Sequence, residues 1–217
     1  MNQPAFRDDM PTDDTAKHQG SSNSFTRIVV ILIVGLFTIL TIWAWRPEKQ
    51  FATGEFHPSV GRPLESLDLA PLVGDTAPLT LKSLRGEVVL INFWGTWCGP
   101  CMMEFPHLVE LNDRLASNKG FRFVPVSCGP GGADTDPEQL QADTEAYLTK
   151  LKTDLRVYSD PGAGTRSSLV KAAQLPGFAY PTTVLIDQTG TIRALWQGYS
   201  PGVEAEMEKV ITSLLKS

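Results

Sequence analysis

A near-continuous apolar run, Val88–Trp94 (VVLINFW), is the feature that most limits how this chain can fold. Such runs are typical of strands buried on both faces, and those strands belong to sheets that helices cover on each side. Residues 98–117 follow with apolar side chains near helical spacing, and Lys119 and Gly120 predict the end of that helix. The segment therefore predicts a buried strand that leads straight into a helix.

The rest of the C-terminal part alternates in the same way. Short apolar runs between turn residues predict strands over 64–69, 79–81, 121–127, 155–158, 183–187 and 191–196. Helical spacing and capping residues predict helices from Pro137, over 165–174 and over 204–215. The first two strands predict an N-terminal β-hairpin. The order of elements predicts the α/β fold class, with a mixed central sheet flanked by helices on both sides.

A second apolar segment, Ile28–Trp45, has eighteen residues without one charge and lies between Arg27 and Arg46. A helix of this length spans about 27 Å, which is close to the hydrocarbon thickness of a bilayer. Trp43 and Trp45 lie at one end, where indole rings favour the membrane interface. A buried core helix would carry more polar positions. The segment predicts a single N-terminal transmembrane helix over residues 28–45, through which the protein contacts the lipid bilayer.

The flanking segments complete the expected organisation. Residues 1–27 are polar and predict a disordered tail, residues 46–58 predict a spacer, and residues 59–217 have the composition of one compact domain. The apolar run is longer than the roughly 7 to 15 residues of a signal peptide, and no small-residue cleavage site follows it. A retained anchor is therefore favoured over a cleaved signal. Lys and Arg are nearly balanced on the two sides, so charge does not set the orientation.

Composition argues against several classes of function. A net charge of -5 and a pI of about 5.2 argue against nucleic-acid binding, which needs basic patches. Three cysteines are too few for a small disulfide-stapled fold. Three scattered histidines predict no His-rich metal site.

The chemistry lies in the segment WCGPC, residues 97–101, between the predicted strand and helix. A helix start presents free N–H groups and the positive end of the helix dipole to Cys98, which favours its nucleophilic thiolate. Cys101 lies one turn further and can close a disulfide that releases a bound substrate. Half of a zinc site or a structural disulfide are the alternatives. Zinc needs four ligands, and no second pair has suitable spacing, so a redox-active disulfide is predicted.

The longer segment FWGTWCGPC resembles the active-site segment of the thioredoxin superfamily. The wider pattern resembles the membrane-anchored TlpA-like or ResA-like thiol–disulfide oxidoreductases over about residues 60–217. The supporting segments are Leu84-Arg85-Gly86, Phe93-Trp94, Glu104-Phe105-Pro106 and Tyr180-Pro181-Thr182-Thr183. The resemblance implies a thioredoxin-like fold, with the hairpin as an N-terminal extension. It also implies dithiol–disulfide exchange without a bound cofactor or metal.

The same resemblance implies partners and a location. The implied substrates are protein thiols and disulfides. The implied electron source is a membrane-embedded donor, from which the reducing members of this family draw electrons. The catalytic domain is expected outside the cytoplasm, on the periplasmic side of the cell membrane. Reduction of the apocytochrome c disulfide to thiols before haem attachment is one role in such a family.

Pro181 matches the family's cis proline, which faces the active-site disulfide. An ordinary trans proline at the start of an edge strand is the alternative. A cis bond would leave the backbone of Tyr180 free to pair with a substrate, so Trp97, Tyr180, Pro181 and Thr182 are the expected substrate-binding residues. Because Tyr180 is bulky, it predicts restricted access to Cys98.

Glu104 matches an active-site glutamate of the ResA-like branch, and Asn92 stands where many thioredoxins carry a buried aspartate. A partly buried Glu104 would have a raised pKa and could act as acid or base for Cys101. A solvated surface carboxylate is the alternative. Cys128, at the end of the predicted strand 121–127, is either an auxiliary thiol or a small buried apolar residue.

Two other functions are alternatives to the reduction of protein disulfides. A thiol peroxidase of the peroxiredoxin type resembles P-x-x-x-T-x-x-C, whereas Thr96 stands two residues before Cys98 and the proline is missing. A non-enzymatic copper carrier would use Cys98, Cys101 and His107 to hold Cu(I), which the Gly-Pro spacing disfavours. Gly-Pro between the cysteines resembles the reducing thioredoxins.

Overall fold

The computed structural model describes residues 22–44, 53–74, 77–131 and 135–216. They fall into two units, one within residues 1–49 and one within residues 50–217. Most of the predicted tail, residue 45 and the first part of the predicted spacer lie outside the described residues.

In the first unit, the described residues form the helix α1 (Ser22–Ala44). It starts inside the segment expected to be a disordered tail, because a helix once formed extends readily through adjoining residues. Within the described ranges, no helix combines the length and apolarity needed to cross a membrane. The transmembrane helix expected over residues 28–45 therefore stays a prediction.

The second unit is built on a mixed sheet of seven strands, as the order of elements predicted. The strands are β1 (Asp68–Val73), β2 (Leu79–Thr80), β3 (Val88–Trp94), β4 (Phe121–Ser127), β5 (Val157–Ser159), β6 (Thr182–Ile186) and β7 (Ile192–Gln197). Their order in the sheet is β2-β1-β5-β4-β3-β6-β7. β4 is parallel to β3 and β5, and the other pairs are antiparallel.

Four helices cover this sheet. They are α2 (Gly99–Leu115), α3 (Pro137–Leu151), α4 (Gly164–Ala173) and α5 (Val203–Leu214). All seven residues of β3 are buried because its alternate side chains enter different clusters. Val89, Ile91 and Phe93 pack in a cluster with residues of α4, whereas Val88 and Leu90 pack with residues of α2 and α5. Burial on both faces explains the unbroken apolar run.

The N-terminal hairpin is present, but its first strand was placed too early. β1 begins at Asp68, and residues 64–67 have no regular structure although Leu64 and Leu67 are buried. The backbone N–H of Ser66 finds a side-chain acceptor on α4 instead of a strand partner, because it donates to Ser168 Oγ at 3.1 Å. The buried side chains of Leu64 and Leu67 thus gave the apolar pattern of a strand where no strand forms.

Part of the predicted spacer is bonded to the sheet. Gly54 exchanges two backbone hydrogen bonds with Leu195 of β7, at 2.8 and 3.1 Å. Gly54 has a positive φ of 63°, and a Cβ at this position would lie 2.0 Å from Glu206 Oε1. Only glycine suits this approach, and the packed domain includes residues before position 59.

Candidate active site

The two cysteines of the WCGPC segment lie where β3 leads into α2. Cys98 is the N-cap residue of α2, and Pro100 lies in the first turn, where its missing N–H is not needed. A disulfide joins Cys98 and Cys101, whose Cα atoms are 5.2 Å apart. Cys98 keeps 6% of its surface exposed, whereas Cys101 has none. An approaching sulfur therefore reaches Cys98 first.

The start of α2 also favours negative charge on Cys98. Its Sγ accepts a hydrogen bond from the backbone N–H of Cys101, at 3.3 Å. The N-terminal end of the helix dipole adds to this stabilisation. Both effects favour the thiolate when the pair is reduced, which suits Cys98 as the nucleophile.

Glu104 lies one turn beyond Cys101 on α2 and is almost completely buried. Oε2 accepts a hydrogen bond of 2.9 Å from Asn92 Nδ2, which also donates to Thr183 Oγ1 at 2.9 Å. Oε1 is buried and has no hydrogen-bond partner. The alternative of a solvated surface carboxylate is therefore wrong.

Burial, with a smaller contribution from the negative charge of Glu204, raises the pKa of Glu104 to about 7, although hydrogen bonds with Asn92 and Thr183 oppose the shift. A buried carboxyl resists ionisation because its charged form loses the solvation of water. A group that titrates near neutral pH can both take and give a proton there. Glu104 is thus suited to exchange a proton with Cys101, and this role stays a prediction.

The Tyr180–Pro181 peptide bond is cis, as expected. β6 begins at the next residue, Thr182, which pairs with Phe93 of β3. This pairing brings Pro181 to the end of β3 from which the cysteine segment departs.

Two aromatic residues accompany the disulfide. Trp97 is 46% exposed, and its Nε1–H donates to the backbone oxygen of Cys128 at 2.8 Å. The ring of Tyr180 meets that of Trp97 edge to face, with centroids 5.3 Å apart. Both residues lie where a substrate would approach Cys98.

Thr182 uses its side chain within the protein. It is fully buried, and its hydroxyl donates to the backbone oxygen of Ala179 at 2.8 Å. Because the hydroxyl is already used inside the protein, the substrate-binding role expected of Thr182 stays a prediction.

Cys128 lies at the end of β4, beside the end of β3, as the parallel pairing of these strands predicted. It is 2% exposed and lines a cavity of about 310 Å³ with Asp160 and Arg166. Burial raises the pKa of its thiol to about 11, so the reactive thiolate is scarce at neutral pH. These facts favour the small buried residue over the auxiliary thiol.

Two contributions to this region were missed by sequence reasoning. Arg166 donates to the Tyr180 hydroxyl and forms an ion pair with Asp160 at 3.0 Å. Glu204, in the first turn of α5, acts on Glu104 through its charge. Both come from elements distant in sequence, and no local motif marks them.

The residues that the structure describes provide no set of copper ligands for the copper-carrier hypothesis. His107 stacks on Tyr199, with ring centroids 6.2 Å apart, and lies 4.0 Å from Glu110. In the described parts of the chain, no three His, Cys, Asp or Glu side chains gather closely enough to hold a metal ion. His107 therefore does not complete a site with Cys98 and Cys101.

Comparison with known proteins agrees with this geometry. The sequence profile of the Redoxin family matches residues 59–211. The chain is 30% identical to the thiol:disulfide interchange protein DsbE of Pseudomonas aeruginosa over 167 residues, covering 77% of this chain and 82% of the relative. It is 28% identical to the thiol-disulfide oxidoreductase ResA of Geobacillus thermodenitrificans over 172 residues, covering 79% and 86%.

A solved structure points the same way. The crystal structure assigned as a thiol:disulfide interchange protein DsbE from Chlorobium tepidum has a TM-score of 0.56 and 26% identity, covering 72% of this chain and 97% of the other. The domain therefore has a thioredoxin-like α/β fold. The chain belongs to the Redoxin family, and its cysteine pair and relatives make it a thiol–disulfide oxidoreductase.

Proposed function

We propose that this enzyme reduces protein disulfides outside the cytoplasm, with Cys98 as the nucleophile and Cys101 as the resolving thiol. The observation that carries the proposal is the unequal burial of the two sulfurs. Cys98 lies at the helix start with a small exposed surface, and Cys101 lies fully buried one turn before the Glu104 carboxyl.

The proposed reaction has two exchange steps. The Cys98 thiolate attacks one sulfur of a substrate disulfide, that disulfide breaks, and the other substrate sulfur leaves as a thiolate that takes up a proton. Cys101 then loses its proton to Glu104 and attacks Cys98, and the second substrate sulfur leaves as a thiolate that takes up a proton. Two electrons pass to the substrate, and the Cys98–Cys101 disulfide forms.

The direction of electron flow rests on the residues between the cysteines. Gly99 and Pro100 resemble those of the reducing thioredoxins, whose potential is about -270 mV. An enzyme that reduces substrates in an oxidising compartment must itself be reduced again. A membrane-embedded electron donor is the partner we propose for that step.

The proposed location rests on sequence. The uncharged run of residues 28–45 has the length of a bilayer span. It supports a retained single-pass anchor, and the resemblance to the TlpA-like or ResA-like oxidoreductases supports a catalytic domain on the periplasmic side of the cell membrane. A role in cytochrome c maturation, by reducing a disulfide of apocytochrome c to the thiols that attach haem, is the more specific form of this proposal.

Two experiments test these parts separately. The reduced enzyme should pass electrons to a protein disulfide, and Cys98→Ser should abolish the transfer; equal activity of the variant would contradict the proposed nucleophile. A reporter that works only outside the cytoplasm, fused after Ser217, should be active. An expressed but inactive reporter would contradict the location, and a mature protein beginning near Arg46 would show a cleaved signal.

A further inference from the structure

The ring of Tyr180 is held from two sides. On one side it packs against the hydrophobic cluster that contains Cys98 and Cys101, and it meets the ring of Trp97 edge to face at 5.3 Å. On the other side its hydroxyl accepts a hydrogen bond from Nη1 of Arg166. The residue that precedes the cis proline is thereby linked to α4.

Arg166 is itself held firmly. Its Nε donates to Asp160 Oδ2 at 3.0 Å, and its Nη2 donates to the Asp160 backbone oxygen at 3.2 Å. The same carboxylate accepts the backbone N–H groups of Thr165 and Arg166, both at 2.9 Å. The Arg166 and Asp160 side chains are only 7% and 0% exposed. Because the guanidinium is planar, these bonds fix the direction of Nη1 and hence the position of the Tyr180 hydroxyl.

Trp97 is fixed as well. Its Nε1–H donates to the backbone oxygen of Cys128 at 2.8 Å. A Cβ at Gly95 would lie 2.4 Å from that nitrogen and 2.5 Å from that oxygen, so glycine is required for this approach. The two rings beside Cys98 therefore have set orientations, and neither can turn away without losing a hydrogen bond.

We propose that Arg166 is a positioning residue, which holds Tyr180 against Trp97 and so limits the width of approach to Cys98. The enzyme then favours disulfides on slender, extended segments of a substrate over disulfides surrounded by bulky groups. This inference rests on the proposed function, because it takes Cys98 as the sulfur that meets the substrate. Arg166 acts only through Tyr180 and takes no part in the exchange of bonds.

Three variants separate this role from general stability. Tyr180→Phe keeps the ring but removes the acceptor for Arg166. Arg166→Lys keeps the charge beside Asp160 but cannot reproduce the fork of a guanidinium. Arg193→Lys is the matched control, because Arg193 also pairs through Nε with an aspartate six residues earlier, Asp187, at 2.7 Å in the β6–β7 hairpin.

The measurement is the alkylation rate of Cys98 in the reduced full-length chain, identified by peptide mass spectrometry. Iodoacetamide is the slender reagent and pyrenyl maleimide is the bulky one, each normalised to a free cysteine peptide. In wild type the bulky reagent should be disfavoured. Arg166→Lys should reduce that discrimination by at least about threefold, with the iodoacetamide rate within about twofold of wild type, and Tyr180→Phe should also reduce the discrimination by at least about threefold. Arg193→Lys should match wild type.

Unchanged discrimination in both site variants would overturn the proposal. An equal change in both rates would also overturn it, because that result reports thiolate reactivity and not width. If Arg166→Lys loses its native circular dichroism spectrum, Tyr180→Phe decides alone. A wild-type Cys98 that reacts equally with both reagents overturns the width limit only, whereas one that reacts with neither overturns the proposed function too.

Discussion

Cys98 and Cys101 are three residues apart and meet different surroundings. Cys98 caps α2, keeps a small exposed surface, and accepts a backbone N–H at the positive end of a helix. Cys101 is fully buried, and one turn further lies a carboxyl whose pKa burial raises to about 7. The difference suits the two sulfurs to different steps of the proposed reaction: Cys98 to the attack on the substrate, and Cys101 to the resolution of the mixed disulfide.

Removing each sulfur in turn should break this comparison most visibly. Cys101→Ser leaves the exposed nucleophile without its resolving thiol, so mixed disulfides with substrate proteins should accumulate. Cys98→Ser leaves only a buried thiol, so trapping should fall by at least about tenfold. Non-reducing gels of each variant, followed by mass spectrometry, measure the difference. Equal trapping by the two variants would remove the assignment of their roles.

The buried carboxyl can be tested by Glu104→Gln. The variant keeps the shape and the hydrogen bond from Asn92 but cannot take a proton from Cys101. Resolution of the mixed disulfide should slow by about a hundredfold or more, the lower end of general acid–base effects, and its pH dependence near 7 should disappear. Stopped-flow release of the substrate thiol against pH measures both. Superimposable pH profiles of variant and wild type would place the proton acceptor elsewhere.

The same substitution should change how stability depends on pH. The folded state raises the pKa of Glu104 from 4.5 to about 7, so it binds more protons than the unfolded state within that window. The stabilising contribution of Glu104 is therefore fully present below about pH 4.5. As the pH rises through about 7 this contribution is lost, and the free energy of unfolding falls by about 3 kcal/mol in all. Glu104→Gln should lack this loss in urea unfolding at successive pH values. A variant that tracks wild type throughout would contradict the raised pKa.

A smaller effect is expected from Glu204→Gln. Removing its negative charge should lower the pKa of Glu104 and shift the pH profile of resolution toward acid, with the rate within about threefold of wild type. Glu208→Gln is the control, because it removes the same charge from α5 at a residue that bonds to Arg114 at the surface. A shift of equal size in the control would indicate a general charge effect.

The smallest effect is expected at the third cysteine. Cys128→Ala removes a buried thiol whose pKa is raised to about 11. The free energy of unfolding should fall by about 1 kcal/mol, and the rate of disulfide reduction should stay within about twofold. Calorimetry and the reduction assay check the two parts. A large loss of activity without unfolding would restore the auxiliary-thiol hypothesis.

The part of the site that sequence predicts well is the part built by neighbouring residues. β3, α2 and the cysteine pair share one segment, in which apolar pattern, cap and proline all agree. Glu104 was identified because it matches an active-site glutamate of the ResA-like branch. The burial that raises its pKa comes from the packing of the fold, and the hydrogen bond from Asn92, which also donates to Thr183, opposes that shift; no local pattern specifies this arrangement.

The parts that sequence missed depend on packing between distant elements. Arg166 and Tyr180 are fourteen residues apart in sequence, and their side chains are hydrogen-bonded. Glu204, on α5, raises the pKa of Glu104 through its negative charge. The early placement of β1 has the same cause, because Leu64 and Leu67 are buried without belonging to a strand. A hydrophobic pattern indicates which residues are buried. It does not show which hydrogen-bond partners they have, and those partners, which define a strand, are set by the fold.

The reduction potential of the Cys98–Cys101 pair tests the central claim most directly. The pair can be equilibrated in dithiothreitol and glutathione buffers of known potential, and the reduced fraction counted by alkylation and mass spectrometry. A reductant with Gly-Pro between its cysteines should give a midpoint of about -270 mV. A midpoint of about -120 mV, typical of a strong oxidant, would contradict the proposed direction of electron flow.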